Sequence, residues 1–379
     1  MIETETEAVI AQGTLKATCS RDELLHALGL VSRGVSARTS VQILAGILLE
    51  AEQGQLRLAA TDMEVSLRTS LDAKVDAEGA VVVPGRLLVE LARLLPEAEV
   101  SIEHKLEEAV CEISCGSASY RLHTYNAEDF PRLPETEGVE LHKVDRQTLL
   151  ETVARVSRSA SRDESRPVLT GVLVHFEPGK LVMAATDSYR LSVKETALEG
   201  SAPELEAIVP ARALAELTRI APEGDTLALG VHENQVVFGT TNAWLTTRRI
   251  DGQFPNYKQL VPEAFEHEVS LGRDELLEVV RRVSVMAQRN SPLRLRFGDG
   301  ELTISAQTQD VGEAHESLPA AFSGDPLEIG FNAEFLRDGV ESIAGDQVKL
   351  KLISPLRPAV LEGESDDFLY LIMPIRLAG

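Results

Sequence analysis

Apolar and polar residues follow one pattern three times along the chain. Each copy begins with an amphipathic helix whose apolar positions return every three or four residues, as at Leu149 and Val153. The residues that precede these helices and can begin them are Ser20, Asp145 and Gly272. Such self-similarity predicts a fold of repeated units, because each copy would form the same supersecondary structure.

Four landmarks recur in the same order within the copies. An apolar strand comes first, at residues 43–49, 168–174 and 290–295. Ala-Thr-Asp, or Ala-Gln-Thr in the third copy, comes second, at residues 60–62, 185–187 and 306–308. A helix start led by proline or asparagine comes third, at residues 83–88, 209–214 and 331–336. A Phe-Pro or Met-Pro pair closes each copy, at residues 130–131, 254–255 and 373–374, and we align these three pairs with one another.

The segments between the helices alternate apolar and polar residues, as in 55–60 and 235–238, and predict half-buried strands. Turn sequences such as Asp299-Gly300 and Pro178-Gly179 separate the strands. We expect two helices and about seven or eight strands per copy, which is an α+β class with antiparallel sheets. The three predicted modules span residues 1–134, 135–262 and 263–379, with a flexible tail at residues 1–12.

Charge is distributed unevenly over these elements. The net charge of −23 at pH 7 opposes phosphate binding unless basic residues are concentrated somewhere. The helix-bearing segments contain 15 arginines and 14 acidic residues, and the rest of the chain contains 22 basic and 46 acidic residues. These segments are residues 20–35, 84–97, 144–162, 210–223, 271–289 and 331–345. If the helices line one surface, the protein could hold DNA on that side only.

One helix carries the sharpest basic pattern. Arg155, Arg158 and Arg162 follow one another at helical spacing and predict a basic stripe beside the apolar face. Arginine is also the side chain that best matches phosphate oxygens. The alternative interpretation is an ordinary solvated helix face.

The sequence argues against an enzyme. Asp62 and Asp187 hold matching positions and could form a two-carboxylate site, but the third copy has Thr308 there. The order Thr-Asp also differs from the Asp-Thr-Gly of an aspartic-protease dyad. No phosphate-binding loop or nucleophile elbow occurs, so we expect no catalytic site and no cofactor.

Cysteine usage predicts a reducing compartment. Cys19, Cys111 and Cys115 are too few for a disulfide scaffold and cannot pair completely. Cys111 and Cys115, with His123, could begin a metal site, but no fourth ligand follows at zinc-finger spacing, and we expect no metal. No stretch of 18 apolar residues and no secretory signal occurs, so we expect a cytoplasmic protein without membrane contact.

Taken together, the three repeats and two short motifs resemble a known family. The Ala-Thr-Asp strands, Phe254-Pro255-Asn256-Tyr257 and Met373-Pro374-Ile375-Arg376-Leu377 are similar to those of the bacterial sliding clamps, the beta subunits of DNA polymerase III. The resemblance covers about residues 13 to 377. It implies a non-enzymatic processivity factor: a head-to-tail homodimer whose modules close a ring around double-stranded DNA, with helices lining the hole.

The resemblance also implies partners. Contacts to phosphates carry no sequence information, so DNA binding would be sequence-independent and the ring could slide. Other expected partners are the replicative polymerase catalytic subunit, the clamp loader complex and further proteins that carry a clamp-binding motif. A protein with these partners would be associated with the nucleoid. The competing hypothesis is a repeat scaffold for proteins with no role at DNA.

Three sets of site residues follow from the same resemblance. A peptide pocket between modules two and three would be formed by Leu169, Thr186, Ser188, Tyr189, Arg190, Leu191, Pro255, Gln259, Leu260, Phe322, Pro358, Leu371, Met373, Pro374, Ile375 and Arg376. The residues expected to face DNA are Arg38, Arg86, Arg155, Arg158, Arg162, Arg166, Arg212 and Arg289. The residues expected at the dimer interface are Tyr120, Leu122, Val285 and Met286.

Some pocket positions depart from the family pattern. Ser188-Tyr189 replaces Gly-His, Gln259 stands where arginine is common, and Arg357-Pro358 replaces a small polar pair. Ala378 and Gly379 extend beyond the usual terminal leucine. These differences predict altered affinity for individual partner peptides.

Overall fold

The structure, a computed structural model, describes most of the 379-residue chain. The described residues are 14–36, 40–133, 139–198, 205–221, 224–232, 234–287, 291–298, 300–309, 312–365 and 367–377. The tail predicted at residues 1–12, Arg38 and Arg289 lie outside them. Internal contacts divide the chain into two units, Met1–Val144 with Arg219–Arg248 and Asp145–Thr218 with Arg249–Gly379.

Three successive stretches of the described chain contain the same succession of strands and long helices, and the second also contains the short helix α4. The first contains β1 (Lys16–Ser20), α1 (Arg21–Val31), β2 (Gly46–Glu52), β3 (Gln55–Thr61), β4 (Val65–Ala77), β5 (Gly79–Pro84), α2 (Gly85–Ala92), β6 (Glu99–Lys105), β7 (Val110–Cys115) and β8 (Ala118–His123). The second contains β9 (Leu141–Asp145), α3 (Arg146–Val156), α4 (Pro167–Thr170), β10 (Gly171–Glu177), β11 (Lys180–Thr186), β12 (Arg190–Ala197), β13 (Glu206–Pro210), α5 (Ala211–Ile220), β14 (Thr226–His232), β15 (Gln235–Gly239) and β16 (Ala243–Arg248). The third contains β17 (His267–Gly272), α6 (Arg273–Ser284), β18 (Leu293–Gly298), β19 (Glu301–Thr308), β20 (Gly312–Pro319), β21 (Leu327–Phe331), α7 (Ala333–Ser342), β22 (Gln347–Leu352), β23 (Ala359–Glu362) and β24 (Phe368–Ile372). This order confirms the threefold repeat and the antiparallel α+β class.

The predicted helix starts are confirmed where a side chain can cap them. The Ser20 side chain accepts a hydrogen bond from the backbone N–H of Glu23, and that of Asp145 accepts one from Thr148. These bonds satisfy backbone donors that the first turn of a helix leaves unpaired. Gly272 precedes α6 with extended backbone and has no side chain to offer.

In the first unit, one 12-stranded antiparallel sheet extends beyond module one. Its main path is β8-β7-β6-β1-β4-β16-β15-β14-β9, and β2, β3 and β5 join it through β4. The long strand β4 makes the connection between modules, because residues 65–69 pair with β16 and residues 73–77 pair with β1. β8 stands at one end of the path as an edge strand.

The second unit contains two antiparallel sheets. An eight-stranded sheet has the order β13-β10-β11-β12-β24-β23-β22-β17, and a four-stranded sheet has the order β20-β19-β18-β21. In the larger sheet Arg190 pairs with Ile372 and Lys194 with Phe368, so β12 of module two is joined to β24 of module three. The strands of module two are therefore shared between two sheets.

The prediction that residues 155–162 form a basic stripe on one helix is wrong. The helix α3 ends at Val156, and Ser157–Ser159 form a 3₁₀ turn. Ser159 is fully buried, and its hydroxyl shares a 2.7 Å hydrogen bond with Ser192 Oγ of the sheet. This hydrogen bond directs the chain away from the helix axis. Arg158 lies in that turn and Arg162 lies beyond it.

The alignment of the closing Met-Pro pair is also wrong. Three equivalent backbone hydrogen bonds fix the register: Tyr125 N–H to Val82 O (2.9 Å), Ile250 N–H to Ile208 O (2.8 Å) and Ile375 N–H to Gly330 O (2.7 Å). Residues 125, 250 and 375 are thus equivalent. Residues 373–374 therefore correspond to 248–249, and the pair at 254–255 has no described counterpart in the third copy.

Candidate functional site

The Thr-Asp landmark of module two forms a tight turn after β11. Thr186 Oγ1 donates to the carbonyl of Arg190 (2.7 Å) and accepts from the backbone N–H of Ser188 (3.1 Å). Asp187 Oδ1 accepts from the backbone N–H groups of Tyr189 and Arg190, at 2.9 and 3.0 Å. Ser188 has a φ of 79°, a left-handed conformation that is costly for a residue with a Cβ. The two side chains therefore hold a strained turn in place.

Module one contains the same turn. Thr61 Oγ1 donates to the carbonyl of Val65 and accepts from Met63 N–H, and Asp62 Oδ1 accepts from Val65 N–H at 2.9 Å. Met63 has a φ of 77°. The landmark is therefore explained by turn formation. The hypothesis of a catalytic aspartate pair loses its motivation, because both carboxylates serve their own turns.

Arg190 is nearly buried behind the second turn. Its Nε donates to Asp187 Oδ2 (3.1 Å), its Nη1 donates to Asp338 Oδ2 (2.5 Å), and its guanidinium lies 4.3 Å from the centre of the Phe335 ring. Burial acts to lower the pKa of Arg190, but Tyr370 and the two carboxylates more than offset this and raise it. Arg190 therefore links the turn of module two to α7 of module three as a permanent cation.

Sequence reasoning identified Arg190 but missed its partners. Phe335 and Asp338 lie on α7, and Tyr370 lies on β24, where its hydroxyl donates to the Phe335 carbonyl (2.8 Å). Gly339 lets α7 approach β24, because a Cβ there would lie 2.6 Å from the Tyr370 ring. These contacts join positions far apart in sequence, and no local pattern points to them.

An apolar cluster lies in the same sheet, across the β12–β24 pairing. Leu191, Val360 and Leu371 are buried in it. The partly buried side chains that pack on them are Val193, Tyr257, Val261, Phe265 and Leu369. Leu191 and Leu371, both predicted in the pocket, therefore belong to the hydrophobic core of this unit. Leu169, at the end of α4, is 9% exposed.

Two apolar side chains stand exposed at the end of this strand pair. Met373 N–H donates to the Tyr189 carbonyl at 2.8 Å, which brings the two residues side by side. Tyr189 is 61% exposed and its ring stacks on Phe335 with a centroid distance of 6.5 Å, and Met373 is 40% exposed. These side chains are accessible apolar members of the predicted pocket.

Arg166 borders the same turn. Its Nη1 donates to Ser188 Oγ (3.0 Å) and its Nε pairs with Asp163 Oδ2 (3.3 Å). The predicted DNA-facing residue Arg166 thus lies beside a residue of the predicted peptide pocket.

The connector between β16 and β17 carries three further residues of the predicted pocket. Pro255 is half-buried, and Gln259 and Leu260 are exposed. Their neighbours Tyr257 and Val261 pack against the apolar cluster, so the exposed side chains border it.

The remaining predicted pocket residues lie on module three. Phe322 packs against His267 and Phe297, with centroid distances of 4.8 and 5.5 Å. Pro358 directly precedes β23 and is half-buried. Pro374, Ile375 and Arg376 follow β24, and Ile375 bridges to Gly330 of β21. The described contacts gather Ser188, Tyr189, Arg190 and Met373 around one turn and place Phe322 in a different packing group.

The predicted DNA-facing arginines have different environments. Arg155 donates from Nε to the Ser342 carbonyl (2.7 Å) and stacks over the Phe368 ring at 4.4 Å, and burial lowers its pKa. This position argues against Arg155 as a phosphate ligand. Arg158, Arg162 and Arg212 are exposed. Arg86 of α2 is also exposed and pairs with Glu90 at 2.9 Å.

Two of the predicted dimer-interface residues lie on the edge strand β8, and the other two follow α6. Tyr120 and Leu122 are on β8, where Tyr120 is 36% exposed. Val285 follows α6 and is 75% exposed. The half-buried Met286 accepts a hydrogen bond through its carbonyl from Thr308 Oγ1 (2.7 Å), next to the hairpin that ends in the edge strand β20.

The cysteines are buried thiols. Burial raises the pKa of Cys19 and of Cys111 to about 12, so both are protonated at neutral pH. Among the described residues no group of three His, Cys, Asp or Glu side chains could hold a metal ion. No helix in that part of the chain is long and apolar enough to cross a membrane.

Comparison with known families matches three domains in order. Residues 15–134 match the DNA polymerase III beta subunit N-terminal domain, residues 143–256 its central domain and residues 258–376 its C-terminal domain.

Individual relatives match over nearly the whole chain. The beta sliding clamp of Streptomyces coelicolor is 36% identical, over 96% of this chain and 100% of that protein. A crystal structure of the Caulobacter crescentus beta sliding clamp, with polyethylene glycol bound to its putative beta-motif tethering region, superposes with a TM-score of 0.91 and 31% identity. It covers 97% of this chain and 100% of its own. A sliding clamp from Bartonella birtlesii bound to griselimycin has a TM-score of 0.89 and 27% identity, over 96% of this chain and all of that one.

Proposed function

The chain belongs to the DNA polymerase III beta subunit family, the bacterial sliding clamps, and on that premise we propose how its residues form a ring, face DNA and bind partners. Its function is that of a non-catalytic processivity factor of DNA replication. Membership of this family implies that DNA and a polymerase are partners of the protein. The three proposed modules are residues 1–134, 135–262 and 263–379.

The ring is proposed to close through the two sheet edges. β8 and β20 are edge strands with unpaired backbone groups, and such edges invite pairing with another chain. Tyr120 on β8 and Val285 after α6 add exposed apolar area to the two proposed contact surfaces. A head-to-tail contact between β8 of one chain and β20 of a second uses different surfaces, and two such contacts close a ring of two chains when the rotation between the chains brings the two free edges together. Tyr120 and Leu122 would then meet the partner's end of α6.

Duplex DNA is proposed to pass along the exposed arginines Arg86, Arg158, Arg162, Arg166 and Arg212. Arg38 and Arg289 belong to the same proposal from sequence alone. Arginine forms bidentate contacts with phosphate oxygens, and such contacts do not distinguish bases. The part of the chain outside the helix-bearing segments carries the acidic excess, and this negative charge repels DNA. A protein held on DNA in this way is nucleoid-associated and cytoplasmic.

Partner proteins are proposed to bind at the β12–β24 junction. The observation that supports this site is the exposed pair of Tyr189 and Met373 beside a rigid turn. A groove with apolar anchors and a few fixed polar groups suits a short linear motif. The polymerase catalytic subunit, the clamp loader complex and other proteins with clamp-binding motifs would compete for it.

Removing the exposed anchors tests this site. Tyr189→Ala and Met373→Ala are each expected to weaken binding of a polymerase clamp-binding peptide by about 1 to 3 kcal/mol, since apolar anchors dominate such interfaces. Fluorescence anisotropy with the labelled peptide measures the effect. Leu191→Ala is unsuitable, because Leu191 is 1% exposed and its loss would destabilise the fold.

Leu94→Ala is the matched control, because Leu94 is 78% exposed and lies after α2 in module one. It is expected to bind the peptide as the unaltered chain does. Equal affinity of all three variants would show that the peptide binds elsewhere.

A further inference from the structure

Glu341, near the C-terminal end of α7, is shared by two arginines from different modules. Its Oε2 accepts from Arg158 Nη1 at 2.5 Å, and its Oε1 accepts from Arg281 Nη2 at 3.0 Å. Arg158 lies in the turn after α3, and Arg281 lies on α6 and also pairs with Glu278. One carboxylate therefore pairs with cations that come from both modules.

The end of α7 attracts further positive charge. Arg155 donates to the carbonyl of Ser342, the last residue of α7. The C-terminus of a helix carries partial negative charge on its unpaired carbonyl groups, and this charge favours nearby cations. Arg155, Arg158 and Arg281 thus meet at one helix end, and Arg155 is the buried member of the three.

The other two arginines are open to solvent. Their side chains are 43% and 49% exposed, whereas that of Glu341 is 21% exposed. Burial alone would raise the pKa of Glu341, but the hydrogen bonds from Arg158 and Arg281 lower it, so the group is a carboxylate at neutral pH. Exposed ion pairs contribute little to stability, and a second anion of the right geometry can replace the carboxylate.

We propose that Glu341 is an internal counterion that holds Arg158 and Arg281 until phosphate groups of duplex DNA replace it. The proposal rests on the proposed function, in which Arg158 faces DNA, and it adds Arg281 to that surface. Each phosphate contact must then displace a carboxylate, so the net gain per contact is small. Weak binding to phosphate of this kind suits a ring that moves along DNA.

Removing the counterion should strengthen DNA binding. Glu341→Gln keeps the size of the side chain and removes its charge. Binding of the full-length variant to a labelled 30-base-pair duplex, followed by anisotropy, should be about 3- to 10-fold tighter at 50 mM salt. The slope of log affinity against log salt should steepen by about 1 to 2, because one or two more phosphates are neutralised.

Glu328→Gln is the matched control. Glu328 pairs with Arg294 at 3.3 Å on the β18–β21 sheet, so the variant loses the same single charge and releases one arginine on a strand. It is expected to change affinity less than about twofold. If both variants tighten binding equally, net charge explains the effect and the counterion proposal is wrong.

A double variant identifies the released arginine. Arg158→Gln combined with Glu341→Gln should lose most of the gain, and a double variant that keeps the full gain would overturn the proposal. A failure of the proposed function has a different signature, because the unaltered chain would then show no greater retention on circular than on linear DNA.

Discussion

Replacing Asp187 with alanine is expected to lower the free energy of unfolding by about 3 to 5 kcal/mol. Asp187 caps the turn after β11 and also neutralises Arg190, which is 7% exposed in its side chain. Among the described residues the variant leaves the buried guanidinium with Asp338 as its remaining carboxylate partner, and breaking a buried ion pair has a cost of this size. Chemical denaturation followed by circular dichroism measures the loss.

Asp62→Ala provides a matched control within the same chain. Asp62 caps an equivalent turn, but residue 65 is a valine where module two has Arg190. Its loss should cost about 1 kcal/mol, the size expected when turn hydrogen bonds are removed. Similar losses in the two variants would mean that Arg190 needs no counter-charge from Asp187 and that our account of this junction is wrong.

Replacing Val285 with aspartate is expected to raise the dissociation constant of the dimer at least about 100-fold. The proposed interface buries Val285 against the partner's β8, and an unpaired carboxylate buried there would cost about 3 kcal/mol or more. The side chain is 75% exposed in the single chain, so folding should be unaffected. Sedimentation equilibrium distinguishes the 41.2 kDa chain from a species of twice that mass.

Leu94→Asp serves as the control for this variant. Leu94 is equally exposed and lies outside the proposed interface, so this variant should remain dimeric. A Val285→Asp protein that dimerises as tightly as the control would place the interface elsewhere on the molecule.

The sequence predicted those features that local patterns encode. Capping residues such as Ser20 and Asp145 begin helices because their side chains satisfy backbone donors nearby in the chain. The Thr-Asp turns repeat because the same hydrogen bonds form wherever that pair occurs after a strand. Periodicity failed at the end of α3, where Ala160 continues the apolar spacing but the buried hydroxyl of Ser159 bonds to Ser192 of the sheet.

Contacts between distant parts of the chain could not be predicted in this way. The Met-Pro pair at 373–374 resembles Phe-Pro in residue type. The hydrogen bond from Ile375 to Gly330 shows that it is equivalent to residues 248–249 instead. Arg190 forms its hydrogen bond with Asp338, which lies 148 positions further along the chain. The division of module two between two sheets likewise depends on edge pairing that no single repeat contains.

Retention on a closed DNA circle measures whether the protein encircles DNA. The protein is loaded on nicked circular plasmid by its clamp loader and separated from free protein by gel filtration, before and after a restriction enzyme cuts the circle. We expect stable retention on the circle and loss after cutting, because a ring slides off a free end. Equal retention on circular and linear DNA would contradict it.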